Sequence, residues 1–400
     1  MIKHRLVFHI AGYDPIHRDE QLNRFVKQIG IFAATWNVVT TLPEGIRPGT
    51  LFPRDACSVT TKAADWSVAT DYELLVWDDL IRADMQRPIP VRMAKAARTY
   101  ADLFWTGTIL RYFSANGRYA MFSLFPLFQL VLLASVAWGL ALVGANSLEI
   151  GFVGRVVIWL ALFALLLRWP GYRWRLHQAL DDWILADDYI HGRRQDLESR
   201  LERFAERLVT AARAGEADEI VVVGHSLGAM LAVDVVARAL RLDPALTRHG
   251  SRVCILTVGA TIPKCALHPR AVRVRRTIQD VLQAKDVFWA EYHSRDDAIS
   301  FYKFDPASLK RVAEDQIEGK PVIRRVQIHD MMRPETFARN RFRFLRLHYQ
   351  PVMANDRRAA YDYFMMMCGP LPLSRWTRSP KGLLDFPELV GSRRRVKAET

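Results

Sequence analysis

Four hundred residues, half of them hydrophobic and 24% charged, suit one large domain or two ordinary ones and exclude a disordered chain. Four cysteines, at 57, 254, 265 and 368, form no C-x-x-C pair and no metal-ligand spacing with histidine, so we expect a reducing compartment, no disulfide framework and no metal. The net charge of +14 invites a nucleic-acid reading, but Lys and Arg are scattered in short groups rather than gathered into one binding module; anionic lipid headgroups would attract them equally well, and we expect no nucleic-acid partner.

The N-terminal MIKHRLVFHIAGYDP runs from a short apolar stretch straight into Asp14 and Pro15, unlike a secretory signal. Arg5 to Ile10 is instead expected as a buried strand. Asp19 to Ala34 is expected as a helix with Leu22, Phe25, Val26 and Ile29 on one face. Cys57 to Lys62, Trp66 to Ala69 and Glu73 to Trp77 have strand-like composition. Val91 to Phe113, rich in Arg, Lys and aromatic residues, is expected as a helix suited to a membrane interface.

An uncharged run then extends from Ala120 to Leu148, long enough to cross about 30 Å of hydrocarbon. A second, shorter run, Val156 to Leu167, follows a loop offering only Glu149 and Arg155. Together they predict a membrane hairpin at about 120–144 and 152–168; a re-entrant pair or a buried core hairpin are the alternatives. Arg111 and Arg118 precede it, and Arg168, Arg173 and Arg175 follow, so the positive-inside rule places both termini and the bulk of the chain on the cytoplasmic side of a cytoplasmic (inner) membrane. Trp105, Trp138, Trp159 and Trp169 fall in or beside the pair, where those near its ends suit the headgroup boundary.

Past the hairpin, Leu197, Leu201, Phe204 and Leu208 repeat at helical spacing within Arg194 to Ala212. Glu219 to Val223 (EIVVV) is an apolar strand, followed by GHSLG at Gly224 to Gly228 and an alanine-rich helix. Further strands are expected at Val253 to Val258, Val287 to Tyr292 and Arg324 to Ile328. Phe342 to Leu347 alternates like a last strand, and Asn355 to Met367 is expected as a closing helix. Strands separated by helices imply an α/β fold, a mainly parallel sheet covered on both faces. The expected division is 1–90 and 197–400 as two parts of one domain, with 91–196 inserted.

GHSLG carries the chemistry. A G-x-S-x-G pentapeptide between an apolar strand and a small-residue helix places its serine on a sharp turn where flanking side chains would meet neighbouring backbone. Ser226 is the candidate nucleophile. On this motif and its context the chain resembles the α/β-hydrolase superfamily, particularly its lipase, esterase and thioesterase members, over everything outside the hairpin. The resemblance implies an acid after the next strand but one and a histidine after the last strand. Asp297, in HSRDDAISFY, matches the family's D-x-[VI] turn better than Asp296. His348 is the better base candidate, with His329 second, and His268 and His293 read as packing or surface histidines. His225 is expected to pack beside the serine. By the same resemblance the oxyanion donors are the N–H groups of Leu227 and, after the first core strand, Tyr13, where Gly12 lets the backbone approach.

The resemblance thus implies a membrane-anchored serine hydrolase acting on an ester or thioester, without metal or organic cofactor. The insertion departs from the family's usual plan by preceding the nucleophile strand. The partners expected are the bilayer, an acyl substrate and anionic headgroups along Arg173 to Arg175, Arg270 to Arg276, Arg339 to Arg346 and Arg393 to Lys397. Two alternatives stay open: a non-catalytic membrane scaffold on the same fold, and an acyltransferase using the same site.

Overall fold

The computed structural model describes residues 1–147 and 150–386. The basic group Arg393 to Lys397, and Leu148 and Glu149, lie outside the described residues. One eight-stranded sheet organises the chain. Its strands are β1 (His4–Ile10), β2 (Val39–Thr41), β3 (Ala56–Lys62), β4 (Ser67–Leu74), β5 (Glu219–His225), β6 (Arg252–Val258) and β7 (Phe288–Ser294). After a small side ribbon of β8 (Phe304–Asp305) and β9 (Lys310–Arg311), β10 (Val322–Val326) completes it. The spatial order is β10-β7-β6-β5-β1-β4-β3-β2. From β10 to β4 every neighbouring pair is parallel, and β3 and β2 add an antiparallel edge.

The central strand β5 is buried at all seven positions, as its unbroken apolar run requires of a parallel strand covered on both faces. One face carries α1 (Arg18–Trp36) and the C-terminal segment; Leu22, Phe25, Val26 and Ile29 of α1 are buried there. The other carries two helices that flank β5 in sequence, Gln195–Ala214 and Gly228–Leu242. Leu197, Leu201, Phe204 and Leu208 of the first all point into this core, at the spacing that puts four side chains on one stripe. Where β5 leaves β1 on one side and β6 on the other, the order of connection reverses, and ligands in open α/β sheets bind at such a switch point beyond the strand C-termini.

Five local expectations are corrected. Trp66 to Ala69 and Glu73 to Trp77 are not separate strands: β4 runs through Leu74, and Val76 and Trp77 leave the sheet before α2 (Asp78–Met85). The helix expected from Val91 to Phe113 is interrupted at Gly107 (φ 68°), giving α3 (Ile89–Trp105) and α4 (Thr108–Ala115). Phe342 to Leu347 is no strand. Its alternation places arginines among exposed apolar side chains, and Phe344–Tyr349 is a short helix. Of Asn355 to Met367, only Tyr363–Cys368 is helical, because the Asp362 carboxylate caps the Met365 N–H at 3.1 Å and so sets the helix start. The last strand also begins two residues earlier than expected.

Between β4 and β5 the chain departs from the sheet into a helical insertion, Ile89 to Ile190. Its long member, α5 (Gly117–Ser147), runs 31 residues, about 46 Å at 1.5 Å per residue. The next, α6 (Phe152–Leu166), has no buried residue and continues through a π-helical turn, Leu167–Gly171, that contains Pro170. Both are long and apolar enough to cross a membrane, and they are not core helices: 22% and 6% of their most apolar stretches are buried. They pack on each other through Ala137, Ala141 and Ala145 of α5 and by a Trp159 Nε1 hydrogen bond to the Ala134 carbonyl at 3.0 Å. A final helix of the insertion, α7 (Leu176–Ile190), returns to the domain and is clamped to α3 by the buried Arg92–Asp181 pair at 2.9 Å.

Candidate functional site

Ser226 follows β5 directly, with φ 57°, the left-handed backbone that a non-glycine residue rarely adopts. Its surroundings explain both flanking glycines. A Cβ on Gly224 would lie 2.5 Å from the Ala229 Cα, and one on Gly228 would lie 2.3 Å from the Ile10 carbonyl oxygen. The turn is therefore pressed between β1 and the helix that follows, and it is pinned by the Ser226 N–H on the Val258 carbonyl and by the Thr261 N–H on the Ser226 carbonyl, both at 3.2 Å.

Asp297 and His348, 51 residues apart, meet behind it. His348 Nδ1 lies 2.8 Å from Asp297 Oδ2, and both side chains are buried. Asp297 is held by the loop after β7 and accepts the Ile299 N–H at 2.9 Å through its other oxygen. With a carboxylate on Nδ1, the neutral ring carries its proton there and leaves a lone pair on Nε2. Nε2 is buried and makes no hydrogen bond among the described residues. His348 and Ser226 line the same cavity. His348 lies in the short helix Phe344–Tyr349, a correction to the loop position implied by the resemblance.

Neighbouring groups fix this histidine further. His225 donates from Nε2 to the His348 carbonyl at 2.9 Å, and burial followed by the proximity of His348 holds His225 well below the ordinary histidine pKa, so it remains neutral. The Tyr349 hydroxyl donates to Asp14, tying the His348 helix to the loop after β1. Gly259 (φ 54°) closes the back: a Cβ there would stand 3.2 Å from Asp297 Oδ2 and 3.3 Å from His348 Cε1.

The loop after β1 covers the serine from the opposite side. A Cβ on Gly12 would lie 2.8 Å from the Ser226 Cβ and 3.3 Å from Oγ. Tyr13 is held by the Gln178 amide on its carbonyl at 3.0 Å, and Trp77 Nε1 holds the Ala11 carbonyl at 3.0 Å. Among the described residues, neither the Tyr13 nor the Leu227 N–H donates to a protein acceptor. Both belong to residues that flank Ser226, one in the loop beyond β1 and one next in sequence.

The cavity has a volume of about 460 Å³, within the range of about 300–1,000 Å³ usual for small-molecule sites. Its walls include Tyr119, Phe122, Phe125, Pro126 and Gln129 of α5, so the insertion itself encloses the serine. Arg175, Arg343 and Arg346 line it as well. Nothing in the local sequence marks Gln129 or Gln178, because their neighbours at the site lie far away in the chain; Gly259 stands in VGATIP, which resembles the turn after the corresponding strand in lipases.

The other candidates lie elsewhere. Asp296 accepts the Ile328 N–H at 2.9 Å, and the half-exposed His329 sits 3.5 Å from Asp296 and from Asp330. His293 pairs with Glu291 inside β7 at 2.9 Å. His268 joins Asp102 and His191 in a group whose donor atoms lie within 4.8 Å of one another. Hydrogen bonds within the chain hold this group: the Arg270 N–H donates to His268 Nδ1 at 3.2 Å, and His268 Nε2 meets Asp102 at 2.9 Å.

No protein-family model, curated protein or solved structure matches this chain.

Proposed function

We propose that this chain is a membrane-anchored serine hydrolase of α/β-hydrolase type that cleaves an ester or thioester through an acyl-enzyme. The observation carrying the reading is the strained Ser226 in one cavity with the unpartnered Nε2 of His348, whose other nitrogen is held by Asp297. The apolar pair α5 and α6 serves as the membrane hairpin, with both chain ends and the sheet on the cytoplasmic side.

In this mechanism Ser226 Oγ attacks the carbonyl carbon while His348 Nε2 takes the hydroxyl proton. Asp297 holds the ring's orientation and stabilises the imidazolium. The oxygen of the tetrahedral intermediate accepts from the N–H groups of Tyr13 and Leu227, each such donor being worth about 3 kcal/mol in the transition state. Collapse expels the alcohol or thiol, which takes the proton from His348. Water, deprotonated in turn by the same Nε2, attacks the acyl-serine and releases the carboxylic acid and free serine. These steps use only this chain's groups, water and the substrate.

Labelling of detergent-solubilised protein with a fluorophosphonate tests the reading. Labelling is expected in wild type, absent in Ser226→Ala, and slowed by on the order of 10²–10⁴ in His348→Ala. Folded wild-type protein that stays unlabelled would sink it. Product analysis with water and alcohol acceptors then separates hydrolysis from acyl transfer.

A further inference from the structure

We propose, resting on the serine-hydrolase reading above, that the ester cleaved at Ser226 belongs to a negatively charged, phosphate-bearing membrane lipid. Its acyl chain lies along the first turns of α5, and its phosphate is held by Arg343, Arg346 and Arg175.

The cavity wall supplies the first half of the argument. Tyr119, Phe122, Phe125, Pro126 and Gln129 occupy successive turns of α5, from the first to the last about 15 Å along the helix. The serine's cavity therefore extends along the same helix that continues, exposed and apolar, toward Ser147. Phe125 is 47% exposed while lining the cavity, so its ring belongs to both the cavity wall and the outer apolar face of α5. An acyl chain in a surrounding bilayer would meet the cavity through this wall. Gln129, 5% exposed, adds a buried amide oxygen with no hydrogen-bond donor among the described residues, a polar mark in the cavity wall.

Charge supplies the second half. Four cations line the cavity, Arg175, Lys264, Arg343 and Arg346, against one carboxylate, Asp182, which Lys264 already pairs at 2.6 Å. Among the described residues Arg175 and Arg343 form no ion pair, and Arg346 hydrogen-bonds the neutral Gln350 at 2.7 Å, with Asp356 close enough to act on its charge without bonding it. Exposed Phe342, Phe344 and Leu345 alternate with these arginines, the composition of a segment resting at a headgroup layer. Phe344 also lines a second cavity of about 810 Å³, whose wall carries Arg118, Arg295, Arg325 and Arg341 against Asp296 and Asp315, the latter paired with Arg325, and which offers room for a headgroup beyond the phosphate. Arginine forks match phosphate oxygens bidentately.

The test compares two reporter esters with identical acyl chains, a phosphatidylglycerol and a phosphatidylcholine, each diluted in neutral phosphatidylcholine vesicles holding the full-length protein. The anionic reporter is expected to turn over about tenfold faster, with the ratio falling as salt rises toward about 0.5 M. The ratio should approach one in Arg343→Gln/Arg346→Gln and be largely restored in Arg343→Lys/Arg346→Lys. A wild-type ratio near one, or a ratio unchanged in the glutamine variant, overturns the proposal. Faster turnover of a soluble phosphate-bearing acyl thioester than of either lipid overturns the bilayer as the source. Fluorophosphonate labelling separates the two levels: an unlabelled wild type defeats the serine reading itself, and a labelled wild type without charge preference defeats only this inference.

Discussion

Left-handed backbone at Ser226 costs a non-glycine residue about 1–2 kcal/mol, and the surrounding structure supplies that cost through close packing rather than through any bond at the serine's own side chain. Gly12, Gly224 and Gly228 are where that packing is tightest, and they act differently. Side chains at 224 and 228 would strike backbone of the neighbouring helix and strand, so their replacement attacks the fold. A methyl at Gly12 meets the serine side chain, 2.8 Å from Cβ and 3.3 Å from Oγ, with the His225 carbonyl oxygen also at 3.2 Å. Gly12→Ala is therefore expected to slow fluorophosphonate labelling by on the order of 10²-fold, because small displacements of a reacting atom carry penalties of that size. The same variant's unfolding temperature should fall by less than that of Gly224→Ala or Gly228→Ala, whose contacts are shorter and all with backbone; an equal drop with proportionate loss of labelling would show that the glycine serves the fold and not the site.

Elements far apart in the chain are joined at the N-terminal ends of the central strands by one buried network. Arg5 of β1 pairs with Glu219 of β5 at 2.9 Å, both fully buried, and its remaining donors reach the carbonyls of Met367, Gly369 and Leu371. Glu219 in turn accepts the Leu373 N–H at 3.0 Å. The C-terminal segment is thus fastened across the sheet by two charges that have no access to water. Glu219→Ala leaves the guanidinium buried and unpaired and is expected to lower stability by about 3–5 kcal/mol, whereas Arg5→Met/Glu219→Leu should recover most of the loss. Thermal unfolding in detergent distinguishes these; equal losses in the single and double variants would mean that the network contributes shape rather than charge compensation. Such long-range pairings could not be read from the sequence, where Arg5 looks like the polar start of an apolar strand. What could be read were features set by local spacing: the apolar β5, the small residues after Ser226, and the stripe Leu197, Leu201, Phe204 and Leu208. Asp297 and His348 were accessible only through chain order in a resemblance, and their 2.8 Å contact depends on tertiary placement. The segment at 342–347 misled because interleaved arginine and phenylalanine give a period of two for reasons of surface chemistry rather than sheet burial.

At the scale of the whole molecule, the insertion serves two tasks that can be separated by position along α5. Its first turns, from Tyr119 to Gln129, wall the serine's cavity and pack against α4 and α7, while the remainder with α6 projects from the domain and is held mainly by contacts between the two helices. Removing the whole hairpin would damage the cavity and so test nothing about membrane delivery. Replacing only residues 134–163 by a short polar loop keeps the wall and discards the projecting part. If the projecting part delivers substrate, this variant should react with a small soluble fluorophosphonate within about twofold of wild type, since the groups around Ser226 are untouched, while its turnover of a vesicle-embedded ester should fall at least by about tenfold, the loss expected when a membrane-spanning anchor is exchanged for weak surface attraction. Measuring both rates on one preparation sets a built-in control. Equal loss in both would mean that the outer hairpin supports the fold of the cavity, and equal retention in both would mean that the substrate reaches the serine without help from the outer hairpin.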